Sequence, residues 1–261
     1  MLLSHKHQFI FVSCRKVASS STIAYLNQYI GPDDIQVGAW GDTLLYGGKY
    51  NIRFTKEIMS SYGLYHCVRQ VALNLRKLKM PRFRSVLHDS YKKIYKSRLG
   101  VSPHHAPAIK IMEFVPDEWN NYFKFCFVRN PYSKAFSDYR WSTRNIKGVS
   151  FKEFLERVND PMRPDPEWAV PTPKENWPLY TVNDEIVVDF VGKYESITDD
   201  MSKICAKIGV PFNPEKFPHA KNFSNKSSNY RDWYTKYEKD LVYKIYHKEI
   251  DYFGYKFETS Q

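Results

Sequence analysis

The chain has 261 residues, with 39 Lys and Arg against 28 Asp and Glu, a formal net charge of +11 at pH 7. That length suits one α/β domain with a large core, and the charge favours an anionic partner: a nucleotide, nucleic acid, acidic glycan or membrane surface. Cys14, Cys67, Cys126 and Cys205 are too widely spaced for a CxxC metal knuckle and read as free thiols, and no 18-residue apolar run offers a membrane span.

Phe9–Val12 is an apolar run of four, suited to a strand buried on both faces. It begins within about ten residues of the N-terminus, too soon for a signal peptide or anchor, so the chain reads as cytoplasmic. A small polar loop holding Lys16 follows. Ile23, Leu26 and Ile30 then fall at helical spacing, ended by Gly31-Pro32. Strand, loop and helix N-terminus together set backbone N–H groups against an anion. A nucleotide triphosphatase loop reads GxxxxGK[ST]. Here no glycine occurs between residues 9 and 30, and the lysine precedes the small residues. An ordinary serine-rich helix cap is the alternative reading of this segment.

Asp33–Tyr50 reads as a loop, with Gly38, Gly41, Gly47 and Gly48, and residues 54–62 as a short helix. From Arg69 to Arg98 the chain is strongly basic, with Asp89 its single acid. Interleaved Val71, Leu73, Leu75, Leu78, Val86, Leu87 and Ile94 imply amphipathic helices broken at Pro81. Their charges form either a solvated face or a rim that attracts a negative ligand. A loop carrying His104-His105 and a short helix with Ile109, Met112 and Glu113 come next. Tyr122–Val128 is a second buried strand, and Pro131 suits the first turn of a helix over 131–144. Residues 150–158 form a helix. Pro161–Pro178, with six prolines and two tryptophans, is an irregular loop. Glu185–Phe190 is strand-like, Ser196–Ile208 a helix capped near Thr198, Pro211–Ser228 a loop and Asp232–Tyr252 the final helix. The alternation predicts a mainly parallel sheet flanked by helices, in a single domain.

Val128-Arg129-Asn130-Pro131-Tyr132, with Ser137 eight residues after the arginine, repeats the strand-to-helix junction. An arginine there grips a phosphate bidentately, and Ser137 adds a hydroxyl donor. Two anion sites on successive strand ends match a nucleotide phosphorylated at both 5′ and 3′ positions. Together these motifs resemble the carbohydrate sulfotransferases that use 3′-phosphoadenosine-5′-phosphosulfate (PAPS), in the branch that includes heparan 2-O- and chondroitin sulfotransferases. The family pattern PK[TV][AG][GS][TS][ST] appears as Arg15-Lys16-Val17-Ala18-Ser19-Ser20-Ser21, with Arg15 replacing proline. The pattern FVRNPxxRxxSxY appears as residues 127–139, with Lys134 replacing arginine. The likeness continues through Val188–Glu195 and Tyr230–Tyr255; residues 35–100 and 160–180 match nothing and are expected to hold the acceptor-binding insertions.

The resemblance implies a P-loop-like nucleotide-binding fold over 1–261 and a PAPS site at Arg15, Lys16, Val17, Ala18, Ser19, Ser20, Ser21 and Thr22. Lys16 would face the leaving oxygen, and Ala18–Ser21 would cradle the 5′ group. Arg129 and Ser137 would hold the 3′-phosphate. Lys226 sits where relatives fold a loop over the nucleotide; a solvated lysine is its other reading. The catalytic base is expected at His105, 24 residues before Arg129, with His104 and Glu113 as alternatives. A histidine of near-neutral pKa suits that task. The remaining histidines, His88 among them, read as bland. Trp168 and Trp177 either stack on sugar rings or pack. No HExxH or clustered carboxylates call for a metal. The expected reaction is metal-independent, in-line sulfuryl transfer to a hydroxyl of an acidic glycan or glycoconjugate, with no nucleic-acid partner. An anionic-polymer binding module and a nucleotide kinase are the competing readings; the missing glycines weigh against the second.

Overall fold

In a computed structural model describing residues 1–78, 80, 82–160, 162, 174–218 and 229–257, Phe9–Val12 is a strand buried at all four positions. In chain order the elements are β1 (Leu2–Ser4), β2 (Phe9–Val12), α1 (Ser19–Leu26), β3 (Ile35–Gln36), α2 (Trp40–Leu45), α3 (Ile52–Met59), α4 (Ser61–Arg76) and α5 (Phe83–Leu99). Then come α6 (Ala108–Phe114), α7 (Pro116–Asn121), β4 (Phe123–Val128), α8 (Pro131–Ser142) and α9 (Phe151–Asn159). The last are α10 (Trp177–Tyr180), β5 (Thr181–Val182), β6 (Glu185–Ile186), β7 (Phe190–Lys193), α11 (Ile197–Lys207) and α12 (Lys236–Phe253).

The main sheet runs β3-β1-β2-β4-β7. β4 lies parallel to both β2 and β7, whereas β1 is antiparallel to β2 and to β3. The sheet is therefore mixed, not mainly parallel. The reason is the short link His5–Gln8 between β1 and β2, which permits only an antiparallel return; a parallel pair needs a crossover of a dozen or more residues. Between β2 and β4 that crossover exists, and Val12 registers against Cys126. Both strands thus end on the same sheet edge, and Ser13–Ala18 and Arg129–Asn130 emerge side by side. Ligands of open α/β sheets bind at such carboxyl ends.

The core is aromatic along this axis: Phe11 stacks on Phe125 at 5.0 Å between ring centroids, and Phe127 meets both edge-on. A second cluster joins α8, α9 and α12 through Phe136, Phe154, Leu155, Val242 and Ile245. Asp33–Tyr50 is more ordered than a loop. It holds β3 and α2, because Trp40 buries against Tyr50, Phe54 and Tyr91. The strand expected over Glu185–Phe190 is divided: Glu185–Ile186 pairs with Thr181–Val182 across a turn at Asn183 and Asp184, and β7 begins only at Phe190. The helices of the basic stretch break on either side of Pro81, as expected. Most of Pro161–Pro178, Trp168 included, lies outside the described residues. Trp177 opens α10, is buried, and donates its indole N–H to Asp184 at 2.9 Å. All four cysteines are free. Among the described residues no helix is long and apolar enough to cross a membrane, and no side-chain group could hold a metal ion.

Candidate active site

The loop after β2 is bent by two non-glycine residues in the left-handed region, Lys16 at φ 60° and Ala18 at φ 61°. Such positions are costly for side-chain-bearing residues and persist where the surroundings enforce them. Here the enforcement is visible. The Arg15 N–H donates to Asn176 Oδ1 at 2.8 Å, and Asn176 Nδ2 donates back to the Arg15 carbonyl at 3.0 Å. Ser19 Oγ donates to the Cys14 carbonyl at 2.6 Å. The Ser19 hydroxyl proton is therefore committed to the loop. The N-terminus of α1 follows directly, and the positive end of a helix favours an anion. Lys16 Nζ lies 5.1 Å from the centroid of the Trp141 ring, a cation–π distance.

At the end of β4, Asn130 accepts from the Tyr132 N–H at 3.1 Å and Pro131 takes the first helical position, so α8 starts immediately. Arg129 donates from Nε to Ser133 Oγ at 2.9 Å and from Nη1 to the Lys16 carbonyl at 3.3 Å. Its guanidinium lies 4.1 Å from the centroid of Tyr194. Burial lowers its pKa, against the nearby Tyr194, Glu195 and Asp138. Ser133 and Ser137, one turn apart on α8, both line the cleft. Ser133 was not singled out from sequence, although its spacing from Ser137 is the signal that could have found it.

Asp138 ties the two segments together. Its carboxylate pairs with Arg15 Nη2 at 2.8 Å and lies 3.6 Å from Lys134 Nζ, with the Asp138 and Lys134 side chains 1% and 0% exposed. The two departures from the family motifs therefore meet on one buried carboxylate. Burial alone would raise its pKa, but Arg15, Lys134 and Lys16 outweigh burial and hold it below the usual aspartate range. Lys134 also sits 4.4 Å from the Tyr246 ring centroid. Nearby Glu249 is pushed up by burial and accepts from the Tyr180 hydroxyl at 2.7 Å.

His105 lies on a single 3₁₀ turn, Pro103–His105, with Nδ1 2.6 Å from the Ser13 carbonyl. A carbonyl only accepts, so this contact places the proton on Nδ1 and leaves the Nε2 lone pair as acceptor. Burial, then His104 and Arg15, push His105 well below the ordinary histidine range, with the Ser13 contact pulling the other way. The His104 ring lies beside it, tilted, with centroids 4.3 Å apart. Gly38, at φ +94°, makes room: a Cβ there would fall 2.5 Å from His104 Cβ. Glu113 instead pairs with Lys110 at 2.6 Å on the exposed side of α6 and does not line the cleft.

These elements enclose a cleft of about 1000 Å³. Arg15, Lys16, Ala18, Ser19, Ser20, Ser21, His104, His105, Arg129 and Ser137 all line it. Val17 and Thr22 do not: both side chains are wholly buried, and the Thr22 hydroxyl donates to the Ala18 carbonyl at 3.3 Å. Lys226 lies outside the described residues. Tyr194, Phe217 and Tyr230 give part of the wall an aromatic character, and Asp42, His88 and Lys92 supply polar groups elsewhere. His88, expected to be bland, is part of the cleft wall. It shares a 2.7 Å hydrogen bond with the Tyr50 hydroxyl, and burial and Lys92 lower its pKa. A second pocket of about 420 Å³ lies between α4 and α5, lined by Lys77, Lys92, Lys93, Lys96 and Asp89; Lys92 and His104 belong to both cavities.

Residues 1–256 match a family model described as "Sulfotransferase family". An uncharacterized protein of Archaeoglobus fulgidus is 35% identical over 98 residues, 36% of this chain and 72% of that protein. Carbohydrate sulfotransferase 14 of Danio rerio is 28% identical over 142 residues; the match takes in 41% of this chain and 37% of that protein's own length. No solved structure matches.

Proposed function

The chain belongs to the sulfotransferase family, and on that premise we propose that it transfers the sulfuryl group of PAPS to a hydroxyl of a carbohydrate or glycoconjugate. The observation that carries the reading is the union of the two strand ends: Arg129 donates to the carbonyl of Lys16, so one guanidinium braces the lysine loop while facing the same cleft. The α1 N-terminus takes the 5′ phosphosulfate, and Arg129, Ser133 and Ser137 take the 3′-phosphate. The aromatic wall at Tyr194, Phe217 and Tyr230 suits the base. A pure anion binder needs only one such site. A kinase loop would carry the glycines of GxxxxGK[ST], and no glycine occurs between residues 9 and 30.

The reaction follows from these positions. The acceptor oxygen forms a bond to sulfur as the bond from sulfur to the bridging phosphate oxygen breaks. The acceptor proton passes to His105 Nε2, which is neutral and unprotonated near pH 7 because His105 titrates low. A positioned base contributes roughly 10²–10⁴-fold when its pKa lies near the working pH; the lowered pKa of His105 keeps the imidazole free to accept but makes it a weaker base than the near-neutral histidine expected from sequence. Charge appearing on the leaving oxygen is met by the Lys16 ammonium. Residues 35–100 and 160–180 are the acceptor-binding insertions in this reading; the first supplies His88 and Lys92 to the cleft. The adjoining pocket, with four lysines and one aspartate, favours an acidic acceptor.

Thermal-shift titrations with PAP (the desulfated nucleotide), ATP and RNA test the donor assignment. Stabilisation by PAP and not by ATP or RNA is expected; RNA binding without a PAP response would overturn it. Radiolabelled PAPS with neutral and acidic oligosaccharides tests the acceptor class.

A further inference from the structure

Between Glu57 and Asp89 the sequence has no acidic residue and six basic ones: Arg69, Arg76, Lys77, Lys79, Arg82 and Arg84. The same stretch carries apolar side chains that the core does not use. On α4, Leu64, Val68 and Leu75 stand at helical spacing and are 45%, 70% and 55% exposed. Past the helix end the series continues with Leu78, Met80 and Phe83, at 97%, 88% and 75%. Tyr62 and Tyr65, in the first turns of the same helix, are exposed as well. The rest of α4 is committed elsewhere. Gly63 packs on the α3 backbone so closely that a Cβ would fall 2.1 Å from the Glu57 carbonyl oxygen, and Gln70, Leu73, Asn74 and Lys77 line the pocket shared with α5. Single exposed apolar residues are ordinary, but a run of them along one helix and its turn marks an interaction surface.

We propose that this α4–α5 hairpin docks the protein on an anionic membrane surface, with Leu64, Val68, Leu75, Leu78, Met80 and Phe83 set into the headgroup layer. The charge pattern selects the occupant. A symmetric contact with a second copy would bring two sets of like charges together with no acid in the stretch to pair them. A bilayer carrying anionic lipids satisfies the apolar residues and the arginines at once. Tyr62, Tyr65 and Phe83 are suited to the interfacial zone. Because no described helix is long and apolar enough to cross a membrane, the contact lies on the surface.

Co-sedimentation of the full chain with phosphatidylcholine vesicles, with and without 30% phosphatidylglycerol (about the anionic content that gives a substantial surface potential), tests this. Binding is expected only with phosphatidylglycerol, and it should fall with salt. Leu75→Ser with Leu78→Asn, and separately Arg76→Glu with Arg84→Glu, should each weaken it roughly tenfold or more. Val68→Ser alone should move it a few-fold in the same direction. The PAP-induced thermal shift should be unchanged in all three, since none of these side chains lines the nucleotide cleft. Absence of vesicle binding overturns the proposal. So does binding that is indifferent to the leucine changes, which is plain electrostatic adsorption. A concentration-dependent doubling of mass in solution, removed by the same leucine changes, assigns the face to a second copy instead.

Discussion

Asp138→Asn removes one charge from a place with almost no solvent to replace it. The carboxylate is 1% exposed, Lys134 0% and Arg15 13%, so the substitution leaves two cations facing each other with little screening. Breaking a buried pair by removing one partner costs about 3–5 kcal/mol. With an unfolding entropy near 2.1 cal/mol/K per residue, a chain of this length should lose roughly 6–9 °C in Tm. The loss should also reach the ligand. Arg15 belongs to the lysine loop, and Asp138 follows Ser137, so the two phosphate segments lose their shared anchor and PAP binds more weakly. The pH dependence carries a sign that separates this from a packing defect. Asp138 titrates below its ordinary value in the fold, so its stabilisation is complete above the unfolded value of about 4 and is lost as pH falls through the folded one. The gap between wild type and variant should therefore be full at pH 7 and close under acid. Scanning calorimetry from pH 3 to 8, with and without PAP, measures all three effects. A variant that melts within about 1 °C of wild type at pH 7 would refute the claim that the Arg15–Asp138–Lys134 cluster holds the site together.

His105→Gln should lower kcat by about 10²–10⁴-fold while PAP affinity is kept; unchanged turnover would move the base elsewhere. In the wild-type enzyme the acid limb of kcat/KM should lie below the ordinary histidine value of about 6.5, because the folded protein holds His105 low. Arg129→Ala should raise the PAP Kd about 10- to 100-fold through the lost charge-assisted bonds, whereas Lys16→Ala should remove transfer while PAP still binds. Isothermal titration beside a transfer assay separates the two, and equal loss of affinity in both would refute the division of roles. Ala18→Gly should be tolerated within about 0.5 kcal/mol, and Ala18→Val should cost about 1–3 kcal/mol, because a β-branched residue fits the left-handed region worst. Denaturant unfolding of the pair checks this.

The parts of the fold legible in sequence were those whose signal is local. Phe9–Val12 and Phe123–Val128 are short, largely apolar strands, each followed by a turn with its own chemistry, so both strand ends and the two segments that follow them were readable. β1 and β3 were not. Three residues and two residues are too short for any periodicity, and they are ordered by tertiary pairing, β1 on β2 and β3 on β1. Missing β1 made the sheet look mainly parallel. The α2 segment, Trp40–Leu45, hides among glycines, and it orders because Trp40 is covered by Phe54 and Tyr91 from distant helices. His88 sits on an amphipathic helix like many surface histidines; only tertiary packing turns it towards the cleft. Asp138 fell inside a recognised motif as a spacer, because its partner Arg15 lies 123 residues away.

That partnership accounts for the form of the lysine loop. Phosphate loops built on glycine reach left-handed backbone without steric cost. This loop adopts the same kind of turn with a lysine and an alanine. Glycine at position 16 would ease the backbone and lose the ammonium that faces Trp141 and the cleft. The side chain is needed where the turn is tightest, so the strain must be met from outside the loop. Asn176 clamps Arg15 from one side, Arg129 holds the Lys16 carbonyl from another, and Ser19 closes on Cys14. Arg15 is then more than a tolerated replacement for proline. Proline would fix the loop entry through its own ring but has no N–H to give Asn176 and no charge to give Asp138. The chain holds its entry by a buried ion pair instead, which makes the conformation of the lysine loop depend on the charge state of one carboxylate.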